Sequence, residues 1–261
     1  MHGTYIGDHK MLISLGYGGW ITVSSQDYSL MPVLVTTGYF EYPLTNYFLK
    51  YIKAGDTVVD IGANIGYFTL LAARQVGTQG KVIGYEANPE MLPILRDNLA
   101  MNWVTDQVTL SNKAIYSENK NLEIQISERF PCYSSINERP EDNNVVDRYK
   151  KISIPGVTLD SELMDMDRID LVKIDIEGGE YQAFLGMRGL IKQGKIKNIS
   201  FEWNRPMLGE ECEPFIQLLN LILHHHGGRL YVLSTEGDPV PVKLQEIISK
   251  DFYPFALIQF N

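Results

Sequence analysis

The sequence predicts an α/β protein built on a mostly parallel sheet with helices on both faces. Three observations carry that prediction. From Thr57 onward, short apolar runs rich in Val and Ile alternate with helical patterns, as a buried parallel sheet with crossover helices requires. One run, TVVDIGANIGYF (57–68), passes from strand through a glycine loop into a helix. Other runs end in acids, Glu86 in KVIGYE and Asp175 in LVKID, at the carboxyl ends of strands where open α/β sheets bind ligands.

Ahead of that alternation, MLISLGYGGWITVS (11–24) sets two β-prone runs around a glycine-rich turn at 16–19, a hairpin pattern. The stretch GYFEYPLTNYFLKYIKAGD then carries Glu41 and Thr45 into an amphipathic helix. Leu44, Tyr47, Phe48, Tyr51 and Ile52 share one side of it, and Gly55 stops it. Core strands are expected near 57–61, 81–86, 107–111, 170–175, 196–202, 229–234 and 254–260, with helices near 65–76, 89–101, 179–193 and 212–226. Asn88-Pro89-Glu90 opens the second of these helices and Gly227 closes the last. An insertion around 116–156 holds strand candidates at 121–126 and 152–154. Its polar middle, 127–150, lacks periodicity, and a loop that long in a compact domain is usually functional. The organisation is thus an N-terminal hairpin and helix extension over 1–54, followed by one domain over 55–261, without internal repeats or low-complexity tracts.

Composition narrows the function classes. The 261 residues carry a net charge of −9, which on average repels phosphate backbones, so nucleic acid is not an expected partner. No apolar run approaches the roughly 20 residues a membrane span needs, and the start lacks a signal-peptide pattern, so a cytoplasmic protein without membrane contact is expected. Cys132 and Cys212 are too few and too far apart for a disulfide framework or a cysteine metal site.

Three constellations carry chemistry. Asp60, Gly62, Asn64, Gly66 and Glu86 sit at the ends of two adjacent strands, where glycine-loop N–H groups and an acid suit a nucleotide-like ligand with a ribose diol. The GxxxG spacing departs from the GxGxxG of dinucleotide sites. The plain alternative is a strand-to-helix turn that uses glycine only for geometry. In LVKIDIEGGE (171–180), Asp175 and Glu177 point the same way if the strand persists. They then orient a hydroxyl, accept its proton, meet a cation or hold a divalent metal; otherwise they cap the next helix and pair with Lys173. In ISFEWNR, Glu202, Trp203 and Asn204 end the following strand and fit either substrate contact or an edge-of-core indole beside a surface acid. His224, His225 and His226 are adjacent on a helix, about 100° apart in direction, so they cannot share one ion.

Together DIGANIGYF (60–68), VIGYEANP (82–89), Asn112-Lys113-Ala114, Ser134-Ser135, VTLD (157–160) and LVKIDIEGGE resemble the FkbM family of class I S-adenosylmethionine-dependent methyltransferases over about residues 38–205. The resemblance implies a Rossmann-like sheet of seven strands, mostly parallel with the last antiparallel, and O-methylation of hydroxyls on sugars, glycans or natural products. By position it implies that Asp60, Gly62, Ala63, Asn64 and Gly66 form the methionine-side loop and that Glu86 holds the ribose. Ala87, Asn88, Asn112 and Ala114 flank the adenine, while Glu41 meets the amino group. Acids, glycine amides and the aromatics Tyr67 and Phe68 suit a sulfonium cation physically. Asp175 also counts among the cofactor contacts.

Methyl transfer is an in-line displacement, so alignment supplies up to about 7–11 kcal/mol and a base about 10²–10⁴-fold. Glu177 is the first candidate base and Asp175 the second, with Glu202 and His225 behind them. Ser134, Ser135, Glu202, Trp203, Asn204 and His225 are candidates for substrate contact. Two carboxylates fall short of a Mg²⁺ site, so no metal is assigned. The expected partner is a small-molecule or glycan hydroxyl acceptor, with a homo-oligomer left open. An NAD-dependent oxidoreductase and a non-catalytic cofactor-binding scaffold remain the alternatives.

Overall fold

A computed structural model describes residues 2–127 and 149–260. The alternation that begins at Thr57 builds an eight-stranded sheet. Its parallel part comprises β4 (Thr57–Ile61), β5 (Lys81–Tyr85), β6 (Val108–Ser111), β10 (Leu171–Ile174) and β11 (Asn198–Asn204). β12 (Arg229–Leu233), β13 (Pro239–Pro241) and β14 (Phe252–Gln259) complete it in the order β13-β12-β14-β11-β10-β4-β5-β6. The last strand, β14, runs antiparallel to both β11 and β12. The expected seven strands are present, and β13 is an eighth at the edge. Its sequence, PVP, hides it: proline cannot donate to a ladder and is tolerated only where one side of the strand is unpaired.

From β4 the chain winds outward to β6, then returns to β10 on the other side, so the order reverses between β4 and β10. Lys173 is paired in register with Asp60 across that junction. Such a switch point opens a crevice at the strand ends. Successive β4 residues feed opposite layers, Val58 one core and Val59 the other, as a two-residue side-chain period demands.

The helices α3 (Tyr67–Val76) and α4 (Met91–Met101) cover one face, with α2 (Tyr42–Tyr51) beside α3. On the other lie α6 (Glu180–Gly186), α7 (Arg188–Lys192) and α9 (Cys212–His225). Residues 179–193 read as one helix but form two, because the chain leaves helical geometry at Met187 (φ −119°). Short helices at Met31–Thr37 (α1), Leu159–Leu163 (α5), Arg205–Leu208 (α8) and Leu244–Ile248 (α10) are too brief to show periodicity.

The hairpin at 11–24 is present as β2 (Lys10–Ser14) and β3 (Trp20–Ser24), joined by a largely exposed β1 (Gly3–Gly7) into a three-stranded antiparallel sheet. Asn98 of α4 fastens this sheet to the glycine-loop side of the fold. Its Oδ1 accepts the Thr22 N–H and hydroxyl, each at 2.7 Å, and its Nδ2 donates to Thr22 O at 3.1 Å and Ile65 O at 2.8 Å. Ile13, Leu34 and Phe48 accordingly share one apolar cluster with Val58, Leu70 and Leu95. In the insertion, β7 (Ala114–Ile115), β8 (Lys120–Ser127) and β9 (Tyr149–Val157) form a third sheet, longer in both main strands than their sequences suggest. Among the described residues no helix is long and apolar enough to cross a membrane.

Candidate active site

A cavity of about 470 Å³ opens at the switch point, within the size range of small-molecule sites. Its floor is the glycine loop after β4. Gly62 (φ +84°) and Asn64 (φ +51°) both adopt left-handed backbone, and a Cβ at residue 62 would collide with the Asp175 carbonyl. The Gly62 and Ala63 N–H groups donate to Tyr85 O at 2.9 and 3.0 Å, locking the loop against β5. Glu86 completes the clasp. Its Oε2 accepts the Asn64 N–H at 2.6 Å and its Oε1 the Asn88 N–H at 2.7 Å. Burial pushes the Glu86 carboxyl up to about 7 against the pull of those two bonds. Each of its oxygens retains acceptor capacity for a ligand hydroxyl.

Of the residues expected to hold cofactor, Glu41, Gly62, Ala63, Asn64, Tyr67, Phe68, Glu86, Ala87, Ala114 and Asp175 line this cavity. Four others lie behind it. Asp60 is fully buried, accepting the Thr69 hydroxyl at 2.6 Å, with Lys173 Nζ 3.3 Å away, so its carboxylate supports the floor from below. Gly66 faces α4, where a Cβ would strike Leu95, so its small size serves helix packing. The Asn88 N–H is spent on Glu86, and Asn112 Nδ2 bridges the carbonyls of Glu86 (2.8 Å) and Ala87 (3.1 Å). Both shape the wall without facing the cavity.

Glu41 enters from the segment before α2 with a left-handed backbone (φ +44°), a conformation that costs on the order of 1–3 kcal/mol and persists only when its surroundings impose it. Tyr67 is part of that imposition. Its hydroxyl accepts the Phe40 N–H at 3.1 Å and lies 3.1 Å from Thr45 Oγ1, which itself donates to Phe40 O at 2.6 Å. Burial raises the Glu41 carboxyl well above its ordinary range, and Asp175, Glu202 and Glu177 add to this against the attraction of Lys173.

The second acid motif arrives differently from expectation. β10 ends at Ile174, so strand alternation does not align Asp175 with Glu177. A turn does so instead, with left-handed backbone at Glu177 (φ +54°) and Gly178 (φ +96°), and both acids line the cavity. On β11, Glu202 and Asn204 reach the cavity while Phe201 and Trp203 alternate into the core. Trp203 stacks on Phe215 at 6.1 Å and donates Nε1–H to Lys250 O at 2.9 Å, which removes it from substrate contact. Burial and the nearby Asp175 push Glu202 up to about 7, while Asn204 Nδ2, donating at 2.7 Å, holds it back. His225 ends α9, exposed and outside the cavity lining, and Ser134 and Ser135 lie outside the described residues.

Lys173, not among the site residues expected from sequence, lines the cavity although only 3% exposed. Burial opposes its charge, but Asp60, Asp175 and Glu41 prevail and hold it protonated. Its Nζ lies 3.4 Å from Asp175 and above the Phe68 ring at 5.2 Å. A lysine in the middle of the apolar run LVKI is the signal that could have found it, because a buried charge must be paired. Lys113, also on the wall, is bound to Glu162 at 2.9 Å. Among the described residues, five lining carboxylates, Glu41, Glu86, Asp175, Glu177 and Glu202, therefore face two lysines that are both engaged. That field favours a cationic ligand. Asn64 Oδ1, buried and without a hydrogen-bond partner among the described residues, offers a further acceptor. The donor set fits S-adenosylmethionine: acids toward a sulfonium and an ammonium, Glu86 toward a ribose, and apolar Ala87, Ala114 and Ile115 toward a flat base.

Comparison with known proteins supports the same assignment. The family model of the methyltransferase FkbM domain matches residues 60–230. Methyltransferase sdnD of Sordaria araneosa is 27% identical over 168 residues, covering 54% of this chain and 64% of that protein. An arsenite methyltransferase of Halobacterium salinarum is 46% identical over 48 residues, 18% of this chain and 12% of the relative. The chain thus spans less than two thirds of these curated relatives. The crystal structure of methyltransferase FkbM from Methylobacillus flagellatus KT shares the fold, with a TM-score of 0.50 and 17% identity over 82% of this chain and 48% of that one. The chain belongs to the FkbM methyltransferase domain family.

Proposed function

We propose that the protein methylates a hydroxyl oxygen on a neutral or amine-bearing small molecule, a sugar, glycan or natural product rich in hydroxyls. The observation that carries this reading is Glu202, a carboxylate on the cavity wall held close to neutral proton affinity between Asp175 and Asn204. A hydroxyl oxygen must lose its proton as it attacks, and a base is most effective when its proton affinity matches the working pH. S-adenosylmethionine supplies the activated methyl group when bound.

In this reading Glu202 accepts the hydroxyl proton, and Glu177 and Asp175, the candidates ranked first from sequence, orient the acceptor beside it. Glu202 moves ahead because its environment tunes it and because Asp175 is already paired with Lys173 at 3.4 Å. Charge limits the acceptor. Among the described residues both lining lysines are engaged by carboxylates, so a phosphate or carboxylate on the substrate would meet uncompensated acids. Hydroxyls and ammonium groups would be welcomed by the same oxygens.

The test measures S-adenosylhomocysteine release against a panel of neutral sugars, amino sugars, hydroxylated aglycones, sugar phosphates and uronic acids. Turnover confined to the first three classes is expected. Preference for the phosphates or uronates would overturn the charge argument, and cofactor binding with no turnover on any hydroxyl would overturn the enzymatic reading of this site.

A further inference from the structure

We propose that Glu180 is a positioning residue for methyl transfer: its carboxyl grips the Ile176 N–H from inside the protein and so fixes the turn that presents Asp175 and Glu177 to the cavity. The inference rests on the acceptor-side role given to those two acids above. Glu180 opens α6 with no accessible surface, and its Oε1 accepts the Ile176 N–H at 3.2 Å. That bond spans the turn from one end to the other. The turn needs such a tether, since Glu177 and Gly178 are both left-handed and a Cβ at Gly178 would press on the Met207 carbonyl. Oε2 of Glu180 has no hydrogen-bond partner among the described residues. Glu202 from β11 and Asp175 from the turn face Glu180 with like charge, and burial together with that repulsion pushes it up to about 8. A glutamate is thus kept as a neutral acid at neutral pH, where an ionised one would repel the acids it positions.

Nuclear magnetic resonance of nitrogen-labelled full-length protein reads the tether directly. The Ile176 amide is expected to titrate with a midpoint near 8 in the wild type and to stop titrating in Glu180→Gln, whose amide oxygen still accepts the bond. In Glu180→Leu the amide should lose its protection from hydrogen exchange. On any acceptor that turns over, Glu180→Leu should lower kcat about a hundredfold, the scale of a misplacement near 1 Å; the wild-type rate should decline as Glu180 ionises above a pH of about 8, and Glu180→Gln should retain most activity without that decline. An Ile176 amide that titrates unchanged in Glu180→Gln, or a Glu180→Leu enzyme with wild-type kcat, overturns the proposal. The amide measurements need no acceptor, so failure of the hydroxyl panel with the titration intact would count against the proposed function alone.

Discussion

Replacing Glu202 with glutamine should make the ligand-free protein more stable while removing its chemistry. The carboxyl is pushed from an ordinary 4.5 up to about 7 in the fold. The folded state therefore binds the proton more tightly than the unfolded chain, and stability falls as pH rises from about 4.5 through 7. At about 1.4 kcal/mol per tenfold difference, the full penalty above pH 7 is about 3 kcal/mol. Glutamine keeps the oxygen that accepts Asn204 Nδ2–H and carries no charge. At pH 8 Glu202→Gln should thus gain about 3 kcal/mol, a rise of roughly 6–12 °C in Tm for a protein near this size. At pH 5, where the folded carboxyl is already neutral, the gain should shrink below about 1 kcal/mol. Thermal unfolding of both proteins at the two pH values is the assay. An equal effect at pH 5 and 8, or destabilisation at pH 8, would refute the placement of a desolvated carboxylate beside Asp175.

Transfer itself should depend on the same group: kcat/KM is expected to fall about tenfold per pH unit below 7, because only ionised Glu202 accepts a proton, and a profile flat down to pH 5 would contradict this. Glu202→Gln should lose about 10²–10⁴ in rate at pH 8. Glu86→Ala should weaken S-adenosylhomocysteine binding by calorimetry about tenfold to a hundredfold, since a charge-assisted hydrogen bond is worth about 1.5–3 kcal/mol. Unchanged affinity would separate Glu86 from the ribose. Lys173→Met strands the fully buried Asp60 and is expected to cost about 3–5 kcal/mol in urea unfolding, with much of it regained in Lys173→Met/Asp60→Asn. Asn98→Ala leaves the Thr22 N–H and Ile65 carbonyl unpaired and should cost at least about 2 kcal/mol, with hydrogen exchange in β3 rising first.

The main sheet was largely legible because its strands are continuous apolar runs bounded by turn residues, a pattern that follows from burial on both faces. TVVDI, KVIGY and LVKI each gave their strand to within a residue or two. β1, β7 and β13 were not legible. Two are short, the third is largely exposed, and β7 is held by β9, a partner distant in sequence. The glycine loop and Glu86, which line the cavity, were likewise readable, because they are local consequences of a strand-to-helix turn and of the next strand's end.

By itself the sequence pointed to the family and the donor. DIGANIGYF and LVKIDIEGGE carry a glycine loop and acids whose pattern is recognisable without further context. Only the tertiary structure decided where the acids sit. It put Asp60 beneath the floor and Trp203 in the core. It turned Glu177 into the cavity by a left-handed residue rather than by strand alternation, and it set Lys173 and Glu180 among the carboxylates. The reason is physical: a side chain's proton affinity depends on desolvation and on charges brought from β4, β10, β11 and the segment before α2, and only folding makes these neighbours.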